Sequence, residues 1–346
     1  VGAVTEGLGL TADQVKGGMN RRVELKISTD GSITFPAVPA LADEYADRLM
    51  RVFSEAGRHV TADESLELRS ILRRQLDEAF RESQRSTVTA SYSSTADGPL
   101  SYQISADGMT IEEDYHFWVE TREPPLFGVD PDARVWTLAA ELTPGSRVLD
   151  IGAGTGRNAL ALARRGHLVD VVELTEKFAD MIRQSAAQES LDIRVIQRDV
   201  FTADDQLGRN YSLILLSEVV PEFRTTDELR RLFNLAVRCL APGGRLVFNV
   251  FVTREFYTPD DAARQFAQQA YSSFFTPAEL TAAAAGLPLE LHSDDSVFDY
   301  EKSNLAPGAW PPTSWYAEWV TGQDVFSLPP EISPISMRWL VYRKIA

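Results

Sequence analysis

The residues best placed to do chemistry cluster in Arg147–Asn158, where Asp150-x-Gly152-x-Gly154-x-Gly156 follows the apolar Val148 and Leu149. Glycine has no Cβ, so this loop can take φ > 0 and let a ligand approach the backbone closely. A helix through Ala159, Leu160, Leu162 and Ala163 would aim its first N–H groups at that ligand. Glu173 closes the next apolar run, Leu168–Val172, 21 positions beyond Gly152. A carboxylate there can accept both hydroxyl protons of a ribose, a bidentate geometry that suits it. Ser217 and Glu218 close a further run, Tyr211–Leu216. Ligands of open α/β sheets sit off the carboxyl ends of strands where the strand order reverses, so these two should face a cofactor and its substrate.

The dinucleotide fingerprint G-x-G-x-x-G, counted from Gly152, needs a glycine where Arg157 stands. The pattern resembles instead the first motif of class I S-adenosylmethionine-dependent methyltransferases, and the likeness runs from about Met109 to the C-terminus. The resemblance implies that Gly152, Ala153, Gly154 and Gly156 underlie the methionine and ribose of the cofactor. Asp150 would position the loop and the cofactor's amino group. Glu173 would hold the ribose and Leu174 lie against adenine. Asp199 would accept from the exocyclic amine, Val200 offer its N–H, and Ser217 face the sulfonium. The turn Pro242-Gly243-Gly244 before a buried strand is another mark of the family. Gly156-Arg157-Asn158, Pro125-Leu126-Phe127-Gly128 and Phe274–Leu280 look like bacterial small-molecule enzymes, including the tellurite-resistance and thiopurine types.

The elements that must position these residues give an α/β, Rossmann-like methyltransferase fold. Its sheet is mostly parallel and seven-stranded, with the last strand antiparallel. We expect it over residues 109–346, behind a small α+β domain of unknown role over residues 1–108. In the latter, residues 23–28 and 32–35 alternate around Thr29-Asp30-Gly31 and predict a β-hairpin. Leu41, Tyr45, Leu49 and Phe53 predict a helix ending at Gly57, and Thr61 with Glu64 forms a capping box for the next. That second helix carries five arginines, which Asp77, Glu78 and Glu82 should pair at helical spacing. A further hairpin is expected around Asp97-Gly98-Pro99. The first 18 residues read either as a short helix near Thr11–Lys16 or as an extension before a start at Met19. Farther on, Asp130-Pro131-Asp132 predicts a helix start with Asp as cap and Pro at the first position. Thr175 should cap the helix after Glu173.

Composition bounds the function. A net charge of −16, from 50 acids and 34 bases, argues against a surface built for phosphate backbones or anionic membranes. The single cysteine, Cys239, excludes an intrachain disulfide framework and a Cys-based zinc cluster, and no metal is called for. No apolar run approaches the roughly 20 residues of a membrane span, and no secretory signal pattern opens the chain. A cytoplasmic enzyme acting on a small molecule, as a monomer or homodimer, is the expectation.

Methyl transfer is an in-line displacement at a sulfonium carbon, and an alcohol or protonated amine acceptor usually needs a general base. Glu218 and His116 are the candidate bases, with Glu222 nearby in sequence. The Asn-Pro-Pro-Tyr type of motif used for base amino groups is absent, Ser217-Glu218-Val219-Val220 standing there. Arsenite chemistry, which uses several cysteines in this class, is disfavoured. The alternative reading is a cofactor-binding, non-catalytic or assembly subunit that uses the N-terminal domain for interactions. The segment 303–334, with Trp315 and Trp319 four apart, is expected to cover the acceptor site.

Overall fold

The computed structural model describes residues 11–24, 28–56, 58, 60–94 and 100–345, and divides between Ile111 and Glu112 into two compact units. The first unit has helix α1 (Ala12–Glu24) and an antiparallel sheet ordered β1 (Thr29–Pro36), β2 (Thr87–Ser94), β3 (Ser101–Asp107). Helices α2 (Ala42–Glu55) and α3 (Ala62–Glu82) come between β1 and β2 in sequence. Strand residues alternate, so Ile33, Phe35, Val88, Ala90, Tyr102 and Ile104 share a core with Leu49, Phe53, Leu68, Leu72 and Leu76. Ser32, Thr34, Ser91 and Ser105 occupy the solvated face.

Two expectations change here. The first hairpin does not form. Val23 belongs to α1, and Thr29-Asp30-Gly31 is not a turn but part of β1, paired with β2 from Tyr92 to Ser94. The Tyr92 hydroxyl lies 2.6 Å from where a Gly31 Cβ would be, so this glycine allows a close approach rather than a turn. Residues 25–27, Gly57 and the turn Asp97-Gly98-Pro99 lie outside the described residues, although β2 and β3 pair as expected. The capping box of Thr61 and Glu64 is present. Arginines of α3 pair across to α2, Arg69 with Asp43 and Asp47, and Arg73 with Asp43, because the two helices pack side by side.

In the second unit, α4 (Ile111–Thr121) and α5 (Ala133–Ala140) lead to β4 (Arg147–Ile151) and α6 (Arg157–Arg164). Next come β5 (Leu168–Glu173), α7 (Glu176–Glu189), β6 (Ile193–Gln197), β7 (Tyr211–Leu216), α8 (Thr226–Cys239) and β8 (Leu240–Thr253). The chain ends with α9 (Asp261–Gln269), β9 (Phe274–Phe275), α10 (Pro277–Ala284), β10 (Leu289–Ser296), α11 (Val297–Asn304), α12 (Tyr316–Trp319), α13 (Gln323–Phe326) and β11 (Ile335–Lys344).

The sheet order is β6-β5-β4-β7-β8-β11-β10, parallel except for β11, which runs antiparallel to both its neighbours. An eighth, two-residue strand, β9, adds to β8. Strand order reverses between β4 and β7, which places the loops after both strands beside one crevice. The central strands read as continuous apolar runs because both faces are covered. Leu149, Ile214 and Leu216 pack with α8 residues on one face, and Val148, Leu213 and Leu215 with α6 residues on the other.

The segment 303–334 is part of that second core. Tyr316, Trp319 and Val320 are buried with Phe251, Met337 and Trp339, and the Trp319 indole donates to Tyr271 O and Ser272 Oγ at 3.1 Å. Trp319 is therefore a buried residue of this core. Among the described residues, no helix is long and apolar enough to cross a membrane.

Candidate active site

Gly152, Gly154 and Gly156 all have positive φ, 65°, 54° and 86°, as the turn from β4 into α6 requires. A Cβ on Gly152 would lie 2.4 Å from Val219 Cγ2, and one on Gly154 3.2 Å from the Phe127 ring. The loop is thus held between the β7 end and the segment after α4. Ala153 and Thr155 are half-buried between these glycines.

Glu173 joins this loop directly. Its Oε2 accepts from Gly154 N at 2.9 Å and its Oε1 from Thr175 N at 2.8 Å. Burial raises its pKa, and the N–H groups of Thr175 and Gly154 pull it back. Thr175 stands at the cap position of α7, but its side chain makes no cap hydrogen bond. Leu174 beside it is half-buried. Arg198 N donates to Glu173 O at 3.0 Å, which brings the end of β6 alongside. There Asp199 is exposed and accepts from Phe201 N at 2.7 Å, and Val200 is buried. Asp199 and Val200 therefore sit one strand farther out than Glu173.

Asp150 is 1% exposed, and its Oδ2 has no hydrogen-bond partner. Burial, with the charge of Asp132 adding, pushes its pKa up to about 8. Ser217 and Glu218 are reached by a side chain that sequence reasoning left unassigned. Arg157 donates to Ser217 Oγ at 3.2 Å, to Glu218 Oε1 at 2.8 Å and to the Asp132 carboxylate, with 7% of its side chain exposed. Asn158 donates to Asp132 Oδ2 at 2.8 Å and accepts from Asp132 N at 2.9 Å.

The start of α5 differs accordingly from expectation. The helix begins at Ala133, after Pro131, and Asp132 makes no side-chain cap bond because Arg157 and Asn158 hold its carboxylate. Glu301, from α11, accepts instead from Ala133 N at 2.7 Å, Arg134 N at 3.1 Å and the Trp339 indole at 2.9 Å. The local signal for this arrangement was the polar pair Arg157-Asn158 at the start of an otherwise apolar helix. Its distant partners had no local signal.

Glu218 takes φ +64° and donates its N–H to Asn249 Oδ1 at 2.6 Å. Burial raises its carboxyl to about 7 against the pull of Arg157. The Tyr316 hydroxyl and Asn249 Nδ2 are buried without hydrogen-bond partners, and burial raises the tyrosine far above its usual range, Glu218 and Asp132 adding to it. His116 lies on α4 with its Nε2 buried and unpartnered, and no hydrogen bond joins it to Glu218. Beside it, Tyr115, Trp118, Phe127, Phe178 and Tyr271 form a contiguous aromatic group with centroid separations of 5.2–6.3 Å. Tyr115 donates to Glu222 at 3.1 Å, and the Arg122 guanidinium covers the Trp118 ring at 3.2 Å.

A methyltransferase-domain family model matches residues 148–244. The chain is 32% identical over 179 residues to a ubiquinone biosynthesis O-methyltransferase of Coxiella burnetii, covering 48% of this chain and 73% of that protein. The chain belongs to the class I S-adenosylmethionine-dependent methyltransferases. A demethylmenaquinone methyltransferase of Clavibacter sepedonicus is 26% identical over 187 residues, covering 53% of this chain and 67% of that one. A solved geranyl diphosphate C-methyltransferase of Streptomyces coelicolor aligns with TM-score 0.47 and 16% identity, over 62% of this chain and 78% of that one.

The residues of this methyltransferase fit its cofactor. Glu173 stands at the loop with both oxygens held there, by Gly154 N and Thr175 N, and with the Thr175 hydroxyl and Leu174 N also donating to the carboxylate. Asp150 Oδ2 is a buried acceptor without a protein partner, and residues 152–155 of the loop remain partly exposed.

Proposed function

We propose that this methyltransferase acts on a small molecule with an apolar or aromatic body, which lies on the wall formed by Tyr115, Trp118, Phe127 and Tyr271. The observation that carries this reading is the contact of that wall with the glycine loop, Phe127 standing 3.2 Å from a Cβ position on Gly154. The relatives named above, acting in ubiquinone biosynthesis and on demethylmenaquinone, support the same class of acceptor. The net charge of −16 favours it over a nucleic acid.

S-adenosylmethionine, when bound, supplies a methyl group on a sulfonium, open to in-line displacement. In this reading Glu173 accepts from the ribose hydroxyls, Gly152, Ala153, Gly154 and Gly156 underlie the methionine part, and Asp150 accepts from the amino group. Leu174, Asp199 and Val200 border the adenine. Ser217 and Glu218 line the acceptor side, and the aromatic wall excludes water from the nucleophile's path. Glu218, near pH 7 in its titration, serves an acceptor that must lose a proton better than His116 does, since it lies in the loop after β7, at the crevice.

The test is turnover to S-adenosylhomocysteine with a panel of phenols, quinols and prenylated small molecules, set against DNA, RNA and protein. Small phenolic or quinol acceptors should turn over, and Trp118→Ala should raise KM more than it lowers kcat. Turnover confined to macromolecules would end this reading. The cofactor site is read as lying wholly within residues 109–346, apart from the domain of residues 1–108. A fragment from Thr110 to Ala346 should therefore retain binding, and a folded fragment that binds no cofactor would refute that division.

A further inference from the structure

Arg157 stands first in α6, directly after the glycine loop, and its buried guanidinium reaches Ser217, Glu218 and Asp132 together. Glu218 is a non-glycine residue in the left-handed region, a conformation that persists where surrounding contacts over-determine it. Two contacts do so: its N–H to Asn249 Oδ1 at 2.6 Å, and its carboxylate to Arg157 at 2.8 Å. The next residue, Val219, is pressed against Gly152, so close that a Cβ there would sit 2.4 Å from Cγ2. A ring is therefore closed through space: the loop 152–156, Arg157, Glu218, Val219, and back to Gly152. From Asp132 the same guanidinium also holds the start of α5.

We propose that Arg157 is a positioning residue for the cofactor, acting through Glu218 and Val219 to fix the glycine loop in its binding conformation. It rests on the cofactor placement proposed above. Arginine suits the task because its planar fork spans several partners at fixed angles, where the lysine ammonium is a point charge on a flexible stem. A neighbour on one side of the ring thus sets the geometry on the other. The loop keeps all three of its glycines at positive φ, and inside it only Gly156 N to Ala153 O, at 2.8 Å, is a hydrogen bond among its own residues. The other contacts that hold it, Gly152 N to Val172 O, Gly154 N to Glu173 and Val219 against Gly152, come from outside the loop.

The test uses the full chain and S-adenosylhomocysteine as probe, with affinity by calorimetry and Tm measured in parallel. Arg157→Lys keeps the charge and removes the fork. It should weaken binding on the order of tenfold or more, in protein that remains folded at the assay temperature. Glu218→Gln keeps the shape and removes the charge pair. If the ring acts as a unit, the double variant Arg157→Lys/Glu218→Gln loses much less affinity than the two single losses combined. Arg157→Lys with a lowered Tm and parental affinity would reduce the residue to a fold-stabilising role and overturn the proposal. Additive losses in the double variant would also overturn it, since they place Arg157 and Glu218 in independent roles. Should Arg157→Lys fail to fold, Glu218→Gln and Asn249→Ala, which loosen the same ring elsewhere, must each weaken binding, and parental affinity in both would sink it. Parallel binding by Gly154→Val separates the two ideas: unchanged affinity there refutes the cofactor placement itself.

Discussion

Two arginines, one in each unit, pair with two acids apiece and differ in what surrounds them. Arg69 of α3 pairs with Asp43 and Asp47 at the surface, where those acids are about half exposed. Arg157 pairs with Asp132 and Glu218 in the interior, at 2–12% side-chain exposure. Water and salt screen the first group, so its contribution to stability is small. The second is held in a medium where a charge without its partner is strongly unfavourable. Desolvated charge gathers at the crevice between β4 and β7, along with Asp150, Asn249 and Tyr316, each carrying an unpartnered polar atom. In the N-terminal unit the core is apolar apart from the buried run Gln84, Arg85 and Ser86 beside β2, and the pairs of Arg69 and Arg73 lie at the surface. What sets the crevice apart is that several such groups converge there beside a buried ion pair, the arrangement found at sites that receive a ligand.

The contrast can be broken most sharply at the loop. Gly154→Val should abolish detectable cofactor binding by calorimetry, because a branched side chain at φ +54° meets the Phe127 ring and fills the approach. Unchanged binding in folded protein would mean the cofactor lies elsewhere. Next in size, Arg157→Gln should lower unfolding free energy by about 3–5 kcal/mol, leaving buried carboxylates without their cation. Arg69→Gln should leave the denaturation midpoint where it is. Equal effects in urea titrations would erase the distinction between the two units.

Glu173→Gln should weaken cofactor affinity about 10- to 100-fold, the charge-assisted bonds to hydroxyls being worth about 1.5–3 kcal/mol. Loss of the Gly154 N–H contact, seen as faster amide exchange at Gly154, would show that the carboxylate orders the loop as well. The last prediction concerns pH. Asp150 titrates at about 8 in the folded chain against 3.8 ordinarily, so between those values the folded state keeps a proton that the unfolded state has lost. Stability from this group is therefore full below about pH 4 and falls as pH rises towards 8. Asp150→Asn removes that slope, so its Tm relative to the parent should climb steadily from pH 5 to pH 8. Parallel Tm–pH curves would place Asp150 in contact with water or a partner.

Much of this site was legible because its signals are local. Asp150, the three glycines and Glu173 are marked by residue type and spacing along strands whose apolar runs announce them. The mostly parallel seven-stranded sheet with its last strand antiparallel, expected from the family resemblance, is also present. The misreadings have local causes too. Thr29-Asp30-Gly31 carries turn chemistry, yet the glycine answers to Tyr92, 61 positions away. Asp132 carries cap chemistry, yet its carboxylate goes to Arg157 and Asn158, and Glu301 does the capping.

By itself, then, the sequence determined that strand, glycine loop and helix follow one another, that Glu173 ends the neighbouring strand, and that the chain folds as a Rossmann-like methyltransferase. Backbone conformation and apolar periodicity are set by residues a few positions apart, and these leave a readable record. Tertiary structure alone decided that Arg157 answers to Glu218 and Asp132, that Glu301 caps a helix begun 168 residues earlier, and that Trp319 lies in the core. Those choices depend on which polar groups are stranded together when the sheet closes over its two cores. A buried charge takes whichever partner packing brings within reach, and distance along the chain does not enter.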